Sequence, residues 1–365
     1  MKYWRGYLIA AIIAACTWGL QEFAATHSAL VDMIYPYMTR TVMEYLAQWS
    51  SSVDFCIWQS VLAVLIVVGL AAVVLMFVLK WNPVQLFGWV LVVVSLFNFA
   101  TTAVFGLNNY AGPLAEDIRL ENTEYAYSVS ELEKAAAYYR EYANAMSNQI
   151  TRDENGNLQY SDFETLSVQA ADGYDVLVYD RFYPVFAGCT LPVKKLELDG
   201  PVNEVGKTVA LTGESAVDPR IPNLVQPFAM CHEMAHRMAI ASNRDADFAA
   251  FMACDANPSL EFRYSGYFMA YRACYRALES ICESTGDRTP LQQLEAGESQ
   301  NLKQDIRTYE RYFGDTDCVD GAFCDILVLW HIETVILPLQ EEEEKTFDPT
   351  DENQVDLSGI VNAIP

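Results

Sequence analysis

The stretch from Pro227 to Arg237, PFAMCHEMAHR, decides the fold prediction because it holds two histidines and a glutamate in an HExxH pattern. Residues four apart lie on one face of a helix, so His232 and His236 can take neighbouring corners of a tetrahedral zinc site. Glu233 can then act as general base toward a water molecule that the metal activates for attack on a carbonyl carbon. We therefore expect Zn²⁺ as cofactor and hydrolysis of peptide bonds as the reaction.

A catalytic zinc needs a third protein ligand and an open position. The candidates are Asp245, which we favour, and Asp247, on a second helix that the pattern predicts after Ser242 and Asn243. Each carboxylate can instead simply be an acidic residue near a helix N-terminus, where the helix dipole favours it. The order of an HExxH motif, a short turn and an acidic ligand is that of gluzincin-type zinc peptidases.

Three apolar segments precede this region, and we predict membrane-spanning helices at about residues 6–25, 55–79 and 83–107. Residues 55–79 form an uncharged run of 25, long enough to cross a hydrocarbon core of about 30 Å. The first segment is either an anchor, which we favour, or the apolar part of a signal peptide. Residues 1–107 are thus predicted to be a membrane anchor region that contacts lipid through three helices.

The few basic residues of the anchor region give an orientation. Lys2, Arg5 and Lys80 all lie on one side if the first segment crosses the membrane and the other two form a hairpin. Basic residues favour the cytoplasmic side. We expect a multi-pass protein of the bacterial cell membrane, with the loop of residues 21–54 and the catalytic domain outside the cytoplasm.

The net charge of −25 falls entirely on residues 108–365, because the charges of the preceding part cancel. So acidic a region repels the phosphates of nucleic acids, which excludes them as its main partner. We predict a soluble domain over residues 108–340 and an acidic, disordered tail over residues 341–365.

The soluble part shows a mixed pattern. Helical spacing predicts a helix from Glu121 to about Asn148, with Ser128 or Ser130 as N-cap. Short β-type runs within residues 174–193 and the run of residues 208–212 predict a small sheet. The expected fold class is α+β, a mostly helical, zincin-like domain with a small sheet, preceded by three transmembrane helices.

Two further groups of residues are candidates for the site. Thr212, Gly213 and Glu214 follow a β-type run, and an edge strand can bind a substrate backbone as an added strand. Glu214 has the alternative of a surface carboxylate beside a turn. Tyr264 and Tyr267 can donate hydrogen bonds to an oxyanion, although packing tyrosines are commoner.

The remaining cysteines and histidine have simpler interpretations. Cys318 and Cys324 lie close together with a glycine between them and are the best disulfide candidates in an oxidising exterior. His331 lies in an apolar helical run, where a core histidine is favoured over a further zinc ligand.

Five motifs together resemble a bacterial family catalogued as domain of unknown function 3810, and they follow the family's order over roughly residues 30–280. They are Tyr35-Pro, Gly106-Leu-Asn-Asn-Tyr110, Thr212-Gly-Glu214, Cys231-His-Glu-Met-Ala-His236 and Phe262-Arg-Tyr-Ser-Gly-Tyr267. The resemblance implies a metallopeptidase-like, membrane-embedded zincin, with no known substrate.

The rival hypothesis is a catalytically inactive membrane scaffold or binding protein on the same fold, which would keep a structural metal or none. A transporter is disfavoured, because the predicted spans lack the charged residues that mark an ion or substrate path. The substrate beyond a peptide or protein, and the oligomeric state, do not follow from the sequence.

Overall fold

The structure is a computed structural model that describes residues 4–120, 126–182, 185–188, 190–197, 204–314, 316 and 318–339. The predicted acidic tail of residues 341–365 lies outside the described residues. Most of the described chain is helical, and a small three-stranded sheet joins the helices. Mostly helical architecture with a small sheet therefore agrees with the sequence prediction.

Three helices are long and apolar enough to cross a membrane: α1 (Arg5–Thr26), α3 (Ile57–Val78) and α4 (Pro83–Val104). Asn82 caps α4 by accepting a hydrogen bond from Val84, and Pro83 occupies its first turn. α4 packs along α1, where a Cβ on Gly6 would lie 2.6 Å from the Gly88 carbonyl carbon. Small residues allow this close approach of two apolar helices.

A further helix, α2 (Ser28–Ser50), occupies most of residues 21–54, the segment that we predicted to be an external loop. It follows α1 directly, after a break at His27. The Tyr35 hydroxyl donates to the carbonyls of Thr102 and Ala103, at 3.0 and 2.8 Å, where α4 ends. These bonds hold the first half of α2 beside the end of α4.

The chain after α4 contains nine α-helices among the described residues: α5 (Leu114–Asp117), α6 (Val129–Ser147), α7 (Phe163–Leu177), α8 (Gln226–Arg237), α9 (Asn243–Ala256), α10 (Leu260–Thr285), α11 (Thr289–Ala296), α12 (Gln300–Phe313) and α13 (Phe323–His331). α10 is central and packs on α6, α8, α9 and α13. Its buried face contributes Phe262 and Phe268 to one continuous core, which also holds Phe248 of α9. α8 lies between this core and the sheet.

Local capping explains where α6 begins. The Ser128 hydroxyl accepts from the Glu131 backbone, and the Glu131 carboxylate accepts from the Ser128 backbone at 2.6 Å. This reciprocal capping box satisfies two N–H groups that a helix start otherwise leaves free. The predicted helix is confirmed from Val129 to Ser147, with Ser128 rather than Ser130 as its cap, whereas its predicted start at Glu121 lies outside the described residues and residues 126–128 are not helical.

The sheet contains β1 (Lys194–Lys195), β2 (Gly206–Val209) and β3 (Glu214–Val217) in the order β1-β3-β2. β3 pairs with β1 in parallel and with β2 in antiparallel fashion. The strand prediction for residues 174–193 is wrong for the described residues, because α7 continues to Leu177, a π-helical turn follows to Phe182 and β1 begins only at Lys194. The β-prone residues there follow the packing of α7 rather than their intrinsic preference.

Cys318 and Cys324 are not joined by a disulfide, so the predicted pairing is wrong. Cys324 is buried on α13, whereas the Cys318 sulfur lies 3.5 Å from the Tyr309 hydroxyl. His331 is buried, with its ring centroid 4.6 Å from that of Tyr138. Burial lowers the pKa of His331 to about 4. This environment is that of a core histidine.

Candidate metal centre

The two HExxH histidines lie on α8 and line a cavity of about 420 Å³. Their Nε2 atoms converge, and the distance between them is 3.1 Å. Two imidazole nitrogens bound to one tetrahedral zinc at about 2.0–2.1 Å each would lie about 3.3 Å apart. The spacing of His232 and His236 is therefore close to that of two corners of a zinc site.

The opposite ring nitrogens both face hydrogen-bond acceptors. The Nδ1 of His232 lies 2.7 Å from Oδ1 of Asp247, and the Nδ1 of His236 lies 2.8 Å from the Ile240 carbonyl oxygen. Because a carbonyl and a carboxylate only accept, both Nδ1 atoms are the donors. The Nε2 lone pairs of neutral rings then face each other, an arrangement that a cation or a proton between them stabilises.

Asp247 holds His232 from behind. Its Oδ2 accepts from the backbone N–H of Asp320 at 2.7 Å, and the residue is only 1% exposed. A carboxylate that orients the far nitrogen of a metal-binding histidine is a common feature around metal ions. Burial and the neighbouring His232 lower the pKa of His236 to about 3, which keeps that ring neutral and able to bind a metal.

Glu233 points toward the sheet. Its Oε2 accepts from the Thr208 hydroxyl of β2 at 2.6 Å, and the Ser215 hydroxyl of β3 donates to the Glu233 carbonyl at 2.8 Å. A Cβ on Gly206 would lie 2.5 Å from Oε1, so only glycine leaves room for this carboxylate. Burial raises the pKa of Glu233, and a carboxylate of raised pKa is a better proton acceptor.

The structure does not bring Asp245, the favoured third ligand, to the two Nε2 atoms. Its Oδ2 accepts from Leu114 at 3.2 Å and its Oδ1 pairs with Arg244 at 2.8 Å, beside a second cavity. Asp247 contacts Nδ1 rather than Nε2 of His232. Within the described residues, no group of three or more His, Cys, Asp or Glu side chains forms a metal-ligand set.

Asn243 is a cavity residue that the sequence pattern placed only before the second helix, with no role at the site. It is the first residue of α9 and lines the same cavity as both histidines, whereas Ser242 is the cap that accepts from Asp245. Asn243 and Asp247 are four apart and therefore share a face of α9. That spacing is the signal from which the sequence could have placed Asn243 at the site.

The two tyrosines predicted to bind an oxyanion are not among the residues that line the cavity. The Tyr264 hydroxyl donates to Asp305, whose carboxylate also pairs with Arg152 at 2.6 Å. The Tyr267 ring stacks on that of Tyr142, with centroids 4.8 Å apart. Both tyrosines serve packing and buried hydrogen bonding here.

Thr212, Gly213 and Glu214 also lie away from the cavity lining. The Glu214 carboxylate accepts from the backbone N–H groups of Ile57 and Trp58, at 2.8 and 3.0 Å, and pairs with Lys194 at 2.7 Å. It therefore satisfies the first turn of α3 and links the sheet to this helix. This environment is structural, unlike the predicted contact with a substrate.

Two features of the cavity arise from tertiary contacts. Phe105, the residue that follows α4, lines the cavity, with its ring centroid 6.3 Å from that of His236. The strand β2, at one edge of the sheet, lines it with Gly206, Lys207 and Thr208. Both contacts join segments far apart along the chain, so local patterns could not predict them.

These features define a mostly helical protein with three candidate membrane spans and a cavity lined by a pair of histidines on α8. The model of a family described as "Protein of unknown function (DUF3810)" matches residues 31–325, and the chain belongs to this family. No curated protein and no solved structure matches the chain.

Proposed function

We propose that the chain is a membrane-anchored, zinc-dependent metallopeptidase that hydrolyses peptide or protein substrates. The observation that carries this proposal is the 3.1 Å approach of the His232 and His236 Nε2 atoms, each with its Nδ1 held by an acceptor. Two histidines oriented in this way can bind one cation between their Nε2 atoms. Glu233 of the HExxH motif lines the same cavity of about 420 Å³.

His232 and His236 would hold the zinc, with the Asn243 side-chain oxygen as the candidate third protein contact from the same cavity wall. When bound, zinc supplies Lewis acidity toward a carbonyl oxygen and lowers the pKa of water. Asp247 would keep the His232 ring oriented. The arrangement leaves positions free for solvent or substrate, as a catalytic site requires.

Glu233 would accept the proton of the attacking water and pass it to the leaving amine. Thr208 orients the carboxylate by donating to its Oε2. The exposed edge of β2 could bind the substrate backbone as an added strand, since Gly206, Lys207 and Thr208 line the cavity. This assigns substrate binding to β2 rather than to the turn that follows it.

For the location, we propose a multi-pass protein of a bacterial cell membrane with the domain outside the cytoplasm. α1, α3 and α4 are long and apolar enough to span, and Arg5 and Lys80 lie at the ends that such a topology puts inside. The other ends of α3 and α4 contact the soluble domain directly.

Metal analysis and proteolysis of the purified full chain test the proposal. We expect one zinc per chain, which is lost in His232→Ala and kept in His331→Phe, a matched change of a buried histidine outside the cavity lining. Glu233→Gln should keep the zinc and lose cleavage of an unstructured protein substrate. Glu283→Gln, on the exposed side of α10, is its control.

The alternative function is a catalytically inactive membrane scaffold or binding protein on the same fold. The specific observation in its favour is that no acidic side chain joins the two Nε2 atoms among the described residues. Zinc binding without any cleavage that depends on Glu233 would favour this alternative.

A further inference from the structure

α2 carries an exposed apolar stripe. Its members recur at steps of four and three residues, which places them on one face of a helix. Their side chains are 39% to 73% exposed in the structure: Ile34, Met38, Val42, Tyr45 and Trp49. A continuous row of exposed apolar side chains marks contact with another apolar phase or with a partner.

The opposite face of α2 is packed on the soluble domain. Met43 and Ala47 are buried, and a Cβ on Gly213 would lie 2.4 Å from the Ala47 nitrogen. The Arg40 Nε donates to the Met238 carbonyl at the end of α8, at 2.8 Å. α2 therefore separates its apolar stripe from the helix of the candidate metal centre by one helix diameter, about 10 Å.

Two contacts fix the direction of α2 relative to the candidate spans. The Thr39 hydroxyl, near the middle of α2, donates to the Val104 carbonyl at the end of α4, at 3.1 Å. At the C-terminal end of α2, Lys194 donates to the carbonyls of Ser50 and Phe55, just before α3 begins. Because α3 and α4 are successive candidate spans, the end of α4 and the start of α3 belong to the same side of a bilayer. The half of α2 from Thr39 to Ser50 connects these two points, and it therefore runs along that side of the membrane rather than across it.

The cavity itself adjoins the end of a span. Phe105 directly follows the last residue of α4, and its ring centroid is 6.3 Å from that of His236. The headgroup layer on each side of a bilayer is about 5–8 Å thick. The candidate metal centre therefore lies at about the depth of the lipid headgroups.

We propose that α2 is an interfacial helix whose apolar stripe is immersed in the lipid bilayer, and that the site acts on membrane-anchored polypeptides next to the bilayer surface. Continuity of α2 with the span α1 and the aromatic residues Tyr45 and Trp49 favour lipid as the occupant of the stripe. The substrate class rests on the proposed peptidase function. The position of α2 does not.

Photo-crosslinking in lipid nanodiscs tests the position of α2. A benzophenone amino acid replaces Tyr45 on the stripe or, as control, the exposed Gln292 on α11, which packs on α10 and α6. We expect lipid adducts by mass spectrometry from position 45 and none from position 292. Adducts from position 45 to a second copy of the chain, or no adducts with lipid, would overturn the interfacial placement.

Cleavage of one casein segment in three forms tests the substrate class in the same membranes. The segment is joined to a transmembrane helix directly, joined through a rigid helical spacer of about 45 Å, or free in solution. We expect the directly joined form to be cleaved at least about tenfold faster than the others, because tethering raises its local concentration at the site. Equal rates would overturn the substrate class.

The two experiments separate the possible failures. If no form is cleaved in a manner abolished by Glu233→Gln while lipid adducts form at position 45, the peptidase proposal and its substrate class fail and the placement of α2 stands. If cleavage occurs without preference and no lipid adduct forms, the peptidase proposal stands and the membrane-surface inference fails.

Discussion

Replacing Asp247 with asparagine should weaken zinc binding without removing any atom that contacts the metal. The Asp247 carboxylate accepts from both His232 Nδ1 and the Asp320 N–H, each at 2.7 Å. An amide has only one oxygen, so one of these donors loses its acceptor, and the negative charge behind His232 is removed as well.

The size of the effect follows from these two contacts. Loss of an orienting carboxylate behind a metal-binding histidine typically lowers affinity 10–100-fold, which is about 1.4–2.8 kcal/mol. The buried donor left unpaired should lower the free energy of unfolding by about 1–3 kcal/mol. Competition with a fluorescent zinc chelator measures the first quantity, and thermal unfolding in detergent measures the second.

Asp245→Asn is the matched control, because Asp245 is two residues away and also buried but contacts Leu114 and Arg244 instead of the histidines. We expect this variant to lose some stability and to keep the zinc affinity of the wild type within about twofold. If Asp245→Asn abolishes zinc binding while Asp247→Asn leaves it unchanged, the assignment of the two carboxylates is refuted.

Three further predictions concern other parts of the molecule. Asn243→Asp should tighten zinc binding by about tenfold in the chelator competition, because it adds a carboxylate to the cavity wall. The new carboxylate lies at the N-terminus of α9, where the helix dipole favours a negative charge. Unchanged or weaker zinc binding would remove Asn243 from the ligand set. Glu214→Ala should lower the free energy of unfolding by about 3–5 kcal/mol, because it leaves the Lys194 ammonium and the first turn of α3 without their carboxylate. The zinc affinity per folded chain should stay the same. Loss of zinc affinity in folded protein would contradict the structural role of Glu214. Burial lowers the pKa of His331 from 6.5 to about 4, so between these pH values the unfolded chain binds a proton that the folded chain does not bind. The free energy of unfolding therefore falls as the pH drops from 6.5 to 4, and His331→Phe should flatten this part of the profile. An unaltered profile in urea titrations would show that His331 does not contribute.

The parts of the fold with a strong local signal were predictable from sequence. Uncharged apolar runs gave the three candidate spans, and the Ser128 and Glu131 pair marked the start of α6. The sequence pattern did not predict α2, because this helix contains Pro36 and because its apolar residues are divided between two faces. One face is buried against the rest of the protein and the other is exposed. A helix with two different neighbours has no single amphipathic stripe.

In the candidate site, too, only the features with a local sequence signal were predictable. The spacing of His232 and His236 on one helix face is local, so their convergence could be predicted. The environment of Glu214 could not, because its partners Ile57 and Trp58 are more than 150 positions earlier in the chain. The contact of Phe105 with the His236 ring is likewise tertiary.

The measurement that tests the metal centre most directly is X-ray absorption at the zinc edge on the full chain loaded with one equivalent of zinc. We expect two imidazole nitrogens at about 2.0–2.1 Å from the zinc together with oxygen ligands, and the loss of this imidazole signal in His236→Ala. A zinc shell without imidazole, or one that His236→Ala leaves unchanged, would contradict a zinc site on His232 and His236.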